Sequence, residues 1–407
     1  MNPFLSKRIS KAAVGPSQRF RNLTLFPLLA KDISQPEYIC MVDALADEKS
    51  VTITEVSSGG SVPNIMVANG TDKKVLIMDG EELVGAKQNR VANTTILLDA
   101  NSRTVIPVSC TEQGRWHAKS QKFSHSKTVM APKVRKKKLM SVSHSLKSSP
   151  QPSYASDQGE VWDEIAELHC MVDTKSPTGA MHDAYAARSE DISAYKRRFE
   201  PIDQQFGMLA FIDGKPAGAD MLSLGQAFRK NFDILLESYA MEALSSSKPD
   251  HETLPGSEQA ELFLEGLPAL EESEFESVGL GFDCRYEGPQ AVGAALMVDE
   301  APVHAAFFTR DGSRDRRRQR NNEQQDGSIG SFFYDSTRGG TGRQRPRATS
   351  IYDDGQLDNL RQQILRELEN EIQNPGKSAE ELKRLQEIYR GMISGRSFRD
   401  NGRNETT

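Results

Sequence analysis

Long apolar runs are missing from this sequence. No segment approaches the ~20 consecutive apolar residues that a membrane-crossing helix needs, so no membrane contact is expected. The first 20 residues, MNPFLSKRISKAAVGPSQRF, are basic and free of acids but carry no apolar h-region, which argues against a secretory signal. Cysteine is scarce: Cys40, Cys110, Cys170 and Cys284 are the four in 407 residues. None sits at C-x-x-C spacing, so buried thiols in a reducing, cytoplasmic setting are expected rather than a disulfide framework. The seven histidines form no H-x-x-x-H and no Cys/His grouping, and neither a metal nor a cofactor is expected. His169 on a helical stripe and His304 in a strand read as satisfied core histidines. GLGFD at 279–283 lacks the third glycine and the following helix of a dinucleotide fingerprint. RGGTGRQR at 338–345 lacks the GK[ST] of a phosphate loop. A net charge of -6 gives no general attraction for nucleic acid.

What is present is unevenly spread. Hydrophobic residues make up 37% of the chain and charged residues 27%, but the polar share concentrates in appendages around a globular body. The reading is a flexible stretch at 1–19, an α+β body at 20–309 and an Arg/Gly-rich disordered linker at 310–354. A helical hairpin at 355–395 and a flexible tail at 396–407 complete it. Within the body, LTLFPL, SVTITEV, PNIMVANG, KKVLIMDG, ANTTILLDA and RTVIPVSC read as strands punctuated by Gly, Asn and Asp. PEYICMVDALADE reads as a helix. Connections this short rule out helical crossovers, so the sheet is expected to be largely antiparallel.

Residues 118–155 read as a polar excursion, with the basic run KVRKKK and some helix around 134–142. DQGEVWDEIAELHCMV and FRKNFDILLESYAMEAL follow as helices, and a further helix covers about 257–265. GMLAFIDGKPAGADML reads as a hairpin turning at Asp213-Gly214. FESVGLGFDCRYEG, AVGAALMVDE and VHAAFF close the body as three strands. Past it, Leu357, Leu360, Ile364, Leu368 and Ile372 form one apolar stripe, and Leu382, Leu385, Tyr389 and Met392 form a second. A hairpin this small needs a partner surface, either the body of this chain or another molecule, a protein partner or a second copy.

The densest chemistry lies in IMDGEELVGAKQNRVANTTILL, residues 77–98. Gly80 and Gly85 bracket Glu81 and Glu82. Lys87 and Arg90 supply positive charge, and Gln88, Asn89 and Asn93 supply amide donors and acceptors. Such a set suits a sugar, ribose or phosphate, although a self-neutralising surface hairpin has the same composition. SCTEQGRWH at 109–117 adds Cys110, Glu112, Arg115 and Trp116. Arg115 and Trp116 are able to stack on a ring-shaped ligand, although packing is the simpler use of both. Cys110, Glu112 and His117 are the residue types of a thiol nucleophile with a base, but packing is the simpler use of Cys110. Glu81, Glu82 and Glu112 are the candidate carboxylates for acid–base catalysis. Neighbours on a strand point apart, so only one of Glu81 and Glu82 can share a pocket with Glu112.

The string VPNIMVANGTDKKVLIMDGEELVGAKQNRVANTTILLDANSRTVIPVSCTEQGRW resembles the bacterial ARPP-1 domain. DQGEVW, LLESYAMEAL, SVGLGFDCR and GAALMVDEAPVHAAFF extend the likeness over about 20–309. The positions carrying it are Asp79, Gly80, Glu81, Glu82, Gly85, Lys87, Gln88, Asn89, Arg90, Cys110, Glu112, Gly114, Arg115 and Trp116. The resemblance implies a setting of ADP-ribose or NAD metabolism in bacterial conflict or stress systems, and transfers no catalytic residues. Three functions are therefore expected to compete. One is binding of an ADP-ribose-like or nucleotide-like ligand through Glu81, Glu82, Lys87, Gln88, Asn89, Arg90, Asn93, Arg115 and Trp116. The second is a carboxylate-based hydrolase, and the third an adaptor acting through 355–395.

Overall fold

A computed structural model describes residues 1–30, 36–45, 50–57, 61–148, 153–246 and 254–310, all within one of the chain's two compact units, Met1–Ser328. The linker expected beyond Arg310, the 355–395 hairpin and the tail lie outside the described residues. The chain opens with α1 (Pro3–Ser10), β1 (Ala13–Val14), β2 (Gln18–Phe20), β3 (Leu23–Leu29), β4 (Ile39–Cys40) and α2 (Met41–Ala44). Eight strands follow: β5 (Val51–Glu55), β6 (Asn64–Asn69), β7 (Val75–Ile77), β8 (Glu81–Gly85), β9 (Arg90–Ala92), β10 (Ile96–Leu98), β11 (Ser102–Cys110) and β12 (Phe123–Val129). Four helices come next: α3 (Pro132–Ser148), α4 (Gln158–Met171), α5 (Met181–Ala187) and α6 (Ser189–Lys196). The last part holds β13 (Gln205–Ile212), β14 (Lys215–Leu222), α7 (Gly225–Leu244), α8 (Ser257–Gly266), β15 (Glu271–Glu276), β16 (Phe282–Glu287), β17 (Ala291–Val298) and β18 (Ala301–Thr309).

These strands build an α+β protein in which all sheet pairings but one are antiparallel. Six of them close a barrel in the order β11-β6-β5-β12-β8-β9. Closure follows from alternation: Val51 and Ile53 on β5, and Ile65 and Val67 on β6, are fully buried every second residue and meet Leu83, Ile106 and Val108 inside. Beside the barrel lies a three-stranded sheet, β10-β7-β4, whose β4–β7 pair is parallel. The helix expected at PEYICMVDALADE is thus cut short. Ile39 and Cys40 extend to pair with Val75 and Leu76, leaving the four-residue α2.

The nine-stranded sheet runs β1-β3-β13-β14-β18-β17-β16-β15, with β2 on β3. All eight residues of β13 are buried, because both faces of this sheet are covered. Phe228, Phe232, Leu235 and Tyr239 of α7 pack with Met208 and Leu222 on one side. Leu5 and Ile9 of α1, with Ala260 and Leu264 of α8, pack with Leu209 and Phe211 on the other. Residues 1–19, expected to be flexible, therefore contribute a helix to the core. The turn at Asp213-Gly214 has positive φ at both residues, 52° and 72°, the twist-matched geometry of a two-residue hairpin. FESVGLGFDCRYEG, expected as one strand, is the hairpin β15–β16.

The largest departure is at 118–155. The basic run lies in α3, a 17-residue helix with Val134, Arg135, Lys138, Leu139 and Val142 buried. Arg135 and Lys138 sit three residues apart, one helical turn, and so face inward together.

Candidate functional site

What α3 carries inward is a polar core. Arg135 Nη1 and Nη2 donate to the two carboxylate oxygens of Asp220, at 3.2 and 2.8 Å. Its Nε reaches Asp79 at 3.4 Å. Lys138 donates to Asp79 and to the Ala92 carbonyl. Tyr239 donates to Asp220 at 2.8 Å, and His304 links Asp220 (3.4 Å) to Thr95 (2.7 Å). Arg285, Asp283 and Thr94 form an adjoining set. Burial pushes the Asp79 and Asp220 carboxyls up, but Lys138 and Arg135 outweigh it and hold both below the usual carboxylate range. Gly80 must be glycine here: its φ is +81°, and a Cβ would come within 2.8 Å of Arg135 Cγ. Asp79 and His304 are thus tied up in hydrogen bonds within this set, beside Gly80, and sequence reasoning missed the set. A periodic Arg135/Lys138 pair within KVRKKK was its one local signal.

The two segments singled out from the sequence do meet, at one end of the barrel, but they divide between its two faces. Arg90 pairs across the strands with Leu83 and with Cys110. Cross-strand partners share a face and Leu83 belongs to the barrel core, so Arg90 and Cys110 point inward. Glu55 follows Val51 and Ile53 on the inward face of β5. Glu82 instead pairs with Val91, which packs outside the barrel among residues of α4 and α5.

At the mouth, Arg90 is fully buried. Its Nη1 donates to Gln88 Oε1 at 3.1 Å and to the Asn89 carbonyl at 3.4 Å. Its Nε and Nη2 have no hydrogen-bond partner among the described residues. The half-buried Trp116 lies over it, 5.8 Å from guanidinium carbon to ring centroid, and Lys87 Nζ lies 5.4 Å from the same ring. Glu55 Oε1 accepts from the Lys87 backbone at 3.3 Å, while its Oε2 is buried and unpartnered. Burial pushes the Cys110 thiol up to about 11 despite the Arg90 charge, so it stays protonated, as a packed thiol would.

On the outer wall, Glu82 is fully buried. It accepts from Thr111 Oγ1 at 2.9 Å, and its second oxygen lies 3.5 Å from Nδ1 of the part-exposed His182 at the start of α5. The Glu82 contact raises the His182 pKa above its ordinary value, against some desolvation. Glu112 is locked by Arg115 (2.6 Å) and Thr178 (2.9 Å). Burial pushes its carboxyl up, and these two partners bring it below the usual range, so it stays ionised. Arg115 also donates to Asn89 Oδ1 and to the Gly85 and Ala86 carbonyls, clamping the β8–β9 turn.

Glu81 shares the Leu83 face but lies at the opposite end of β8. There it accepts from the Met78 backbone at 3.1 Å, with His125 at 3.6 Å. Asn93 lies apart from both groups, bonded to Ser109 Oγ and to the Tyr154 carbonyl. Glu55, Thr178 and His182 escaped the sequence reading, because long-range pairing alone brings them here. His169 is satisfied by Thr174 and the Ala180 carbonyl.

Barrel, three-stranded sheet and nine-stranded sheet together define an α+β protein with a polar barrel mouth. The chain belongs to the ARPP-1 family: the model described as the ARG and Rhodanese-Phosphatase-superfamily-associated Protein domain matches residues 11–308. No curated protein and no solved structure matches it. The family is associated with ADP-ribosylglycohydrolase and rhodanese-phosphatase systems. No helix among the described residues is long and apolar enough to cross a membrane.

Proposed function

We propose that the barrel mouth binds a phosphate-bearing sugar or nucleotide of the ADP-ribose kind. The observation that carries this reading is Arg90: a buried guanidinium with Nε and Nη2 unpartnered. An uncompensated buried charge costs several kcal/mol, and a phosphate would supply both counter-charge and acceptors. Trp116 offers a stacking face for a base, Lys87 a second cation, and the free Glu55 oxygen an acceptor for a ribose hydroxyl. Arg115, Asn89 and Glu112 then hold the turn in shape and do not themselves touch the ligand. The family's association with ADP-ribosylglycohydrolases favours ADP-ribose within this chemical class. Only two tryptophans occur, so in a Trp162→Phe chain the emission reports Trp116. Titration with ADP-ribose should change that emission saturably, and Arg90→Ala should move the titration to ligand concentrations about tenfold or more higher. An unchanged spectrum across ADP-ribose, NAD, AMP and inorganic phosphate rejects the proposal.

A second reading, hydrolysis of ADP-ribosylated or nucleotide substrates, draws support from the Glu82–His182 contact. A buried carboxylate behind a part-exposed imidazole orients it and strengthens it as a base. Glu112, held ionised by Arg115, is poorly suited to act as the acid in a carboxylate pair. Turnover that survives in both Glu82→Gln and His182→Asn chains excludes this machinery.

A further inference from the structure

The β15–β16 hairpin places a different chemistry at the far edge of the nine-stranded sheet. Glu272 pairs across the strands with Tyr286, and Glu274 with Cys284, so all four side chains share one face. One carboxylate oxygen from each glutamate and Cys284 Sγ lie within 4.8 Å of one another, with Sγ 4.0 Å from Glu274 Oε2. Cys284 is fully buried, Glu272 half-buried and Glu274 exposed, so the group opens outward through its carboxylates. A second observation bears on it independently. Tyr286 is fully buried, yet its hydroxyl, set among Cys284, Glu272 and the Asn2 backbone, completes no regular hydrogen bond with any of them. A buried hydroxyl left unsatisfied costs about 1–3 kcal/mol. Two adjacent carboxylates and an unsatisfied hydroxyl against an apolar layer are a poor arrangement for packing alone. Glu272 also meets the amino group of Met1 at 3.5 Å.

We propose that Glu272, Glu274 and Cys284 bind a divalent transition-metal ion of the zinc or cobalt type, with the Tyr286 hydroxyl beside it. Thiolate with carboxylate is a donor set that such ions accept in four-coordinate geometry. Binding forms a metal–sulfur bond as Cys284 releases its proton to solvent. Because the thiol must give up its proton to bind the ion, uptake strengthens as pH rises. The bland alternative is that these carboxylates only keep the edge strand from pairing with another chain, and that use needs no ion.

Cobalt(II) titration of the untagged full chain separates the two. A thiolate-to-cobalt charge-transfer band should appear, saturate near one equivalent and vanish on adding zinc. The band should survive Cys170→Ser, which removes the exposed thiol, and disappear in Cys284→Ser. Glu274→Gln changes an exposed residue that folding tolerates, and should weaken binding by about tenfold or more. No band in the wild-type chain, a band that persists in Cys284→Ser, or unchanged affinity in Glu274→Gln each overturns the proposal. None of these readouts involves the barrel mouth, so this site and the proposed ligand site stand or fall separately.

Discussion

Asp220 shows how much one buried carboxylate does in this fold. It accepts from Arg135, Tyr239 and His304, groups on three different elements. Asp220→Asn keeps the shape but leaves Arg135 with only the longer Asp79 contact. Breaking a buried pair in this way should cost about 3–5 kcal/mol, read as a lower urea midpoint. The sign of the pH dependence follows from the depressed carboxyl. Its folded pKa lies below the unfolded value of about 3.9, so the native state binds fewer protons there. The stabilisation is complete above about pH 4 and drains away as pH falls towards the folded value. Urea midpoints taken from pH 6 to pH 2 should fall mainly below pH 4, with a shallower fall in the Asn variant.

His182 gives the opposite case. Its pKa is raised by Glu82, so any stability it contributes is present at low pH and is lost as pH rises through the folded value. In Glu82→Gln the His182 ring should titrate at lower pH by NMR, and an unmoved titration would mean that the 3.5 Å contact is not made in solution. Alternation along β8 was enough to put Glu81 and Glu82 on opposite faces before any coordinates. It did not reveal His182, a hundred residues away, because no periodicity links an outer-wall carboxylate to the first turn of another helix.

At the scale of elements, strands defined by strict alternation, such as β5, β6 and β11, were legible, and so was α7 with its broad apolar face. The short β8, β9 and β12 were not read as separate strands, because closing a barrel lets polar residues such as Arg90 and Glu55 occupy inward positions near its end. α3 was read only in part, as helix around 134–142, for a related reason: its inward face carries Arg135 and Lys138, which count as solvated until Asp79 and Asp220 are seen opposite. Arg115 makes four of the contacts that hold the β8–β9 turn, to Ala86, Gly85, Asn89 and Glu112. Arg115→Lys keeps the charge but loses the planar fork that reaches Glu112, Asn89 and two carbonyls. Amides of residues 86–89 should then exchange faster with solvent, with a stability loss of about 1–3 kcal/mol. Unchanged exchange there would show that the turn holds itself.

At the scale of the whole molecule, the sequence supported an α+β body, and the family match over residues 11–308 covers nearly all of the described elements. The separation of the quoted segments into a mouth group and an outer-wall group was not legible, since it depends on which residues face each other across β8, β9 and β11. The same barrel geometry makes Arg90 the residue on which the binding reading turns. Calorimetry with ADP-ribose on the wild-type, Arg90→Lys and Arg90→Ala chains is the most direct test. Saturable heat in the wild type, weakened by about 1–3 kcal/mol in the alanine variant with lysine between the two, is the predicted result. Equal heats in all three chains, or none in the wild type, would contradict a phosphate-binding role for the guanidinium inside the barrel.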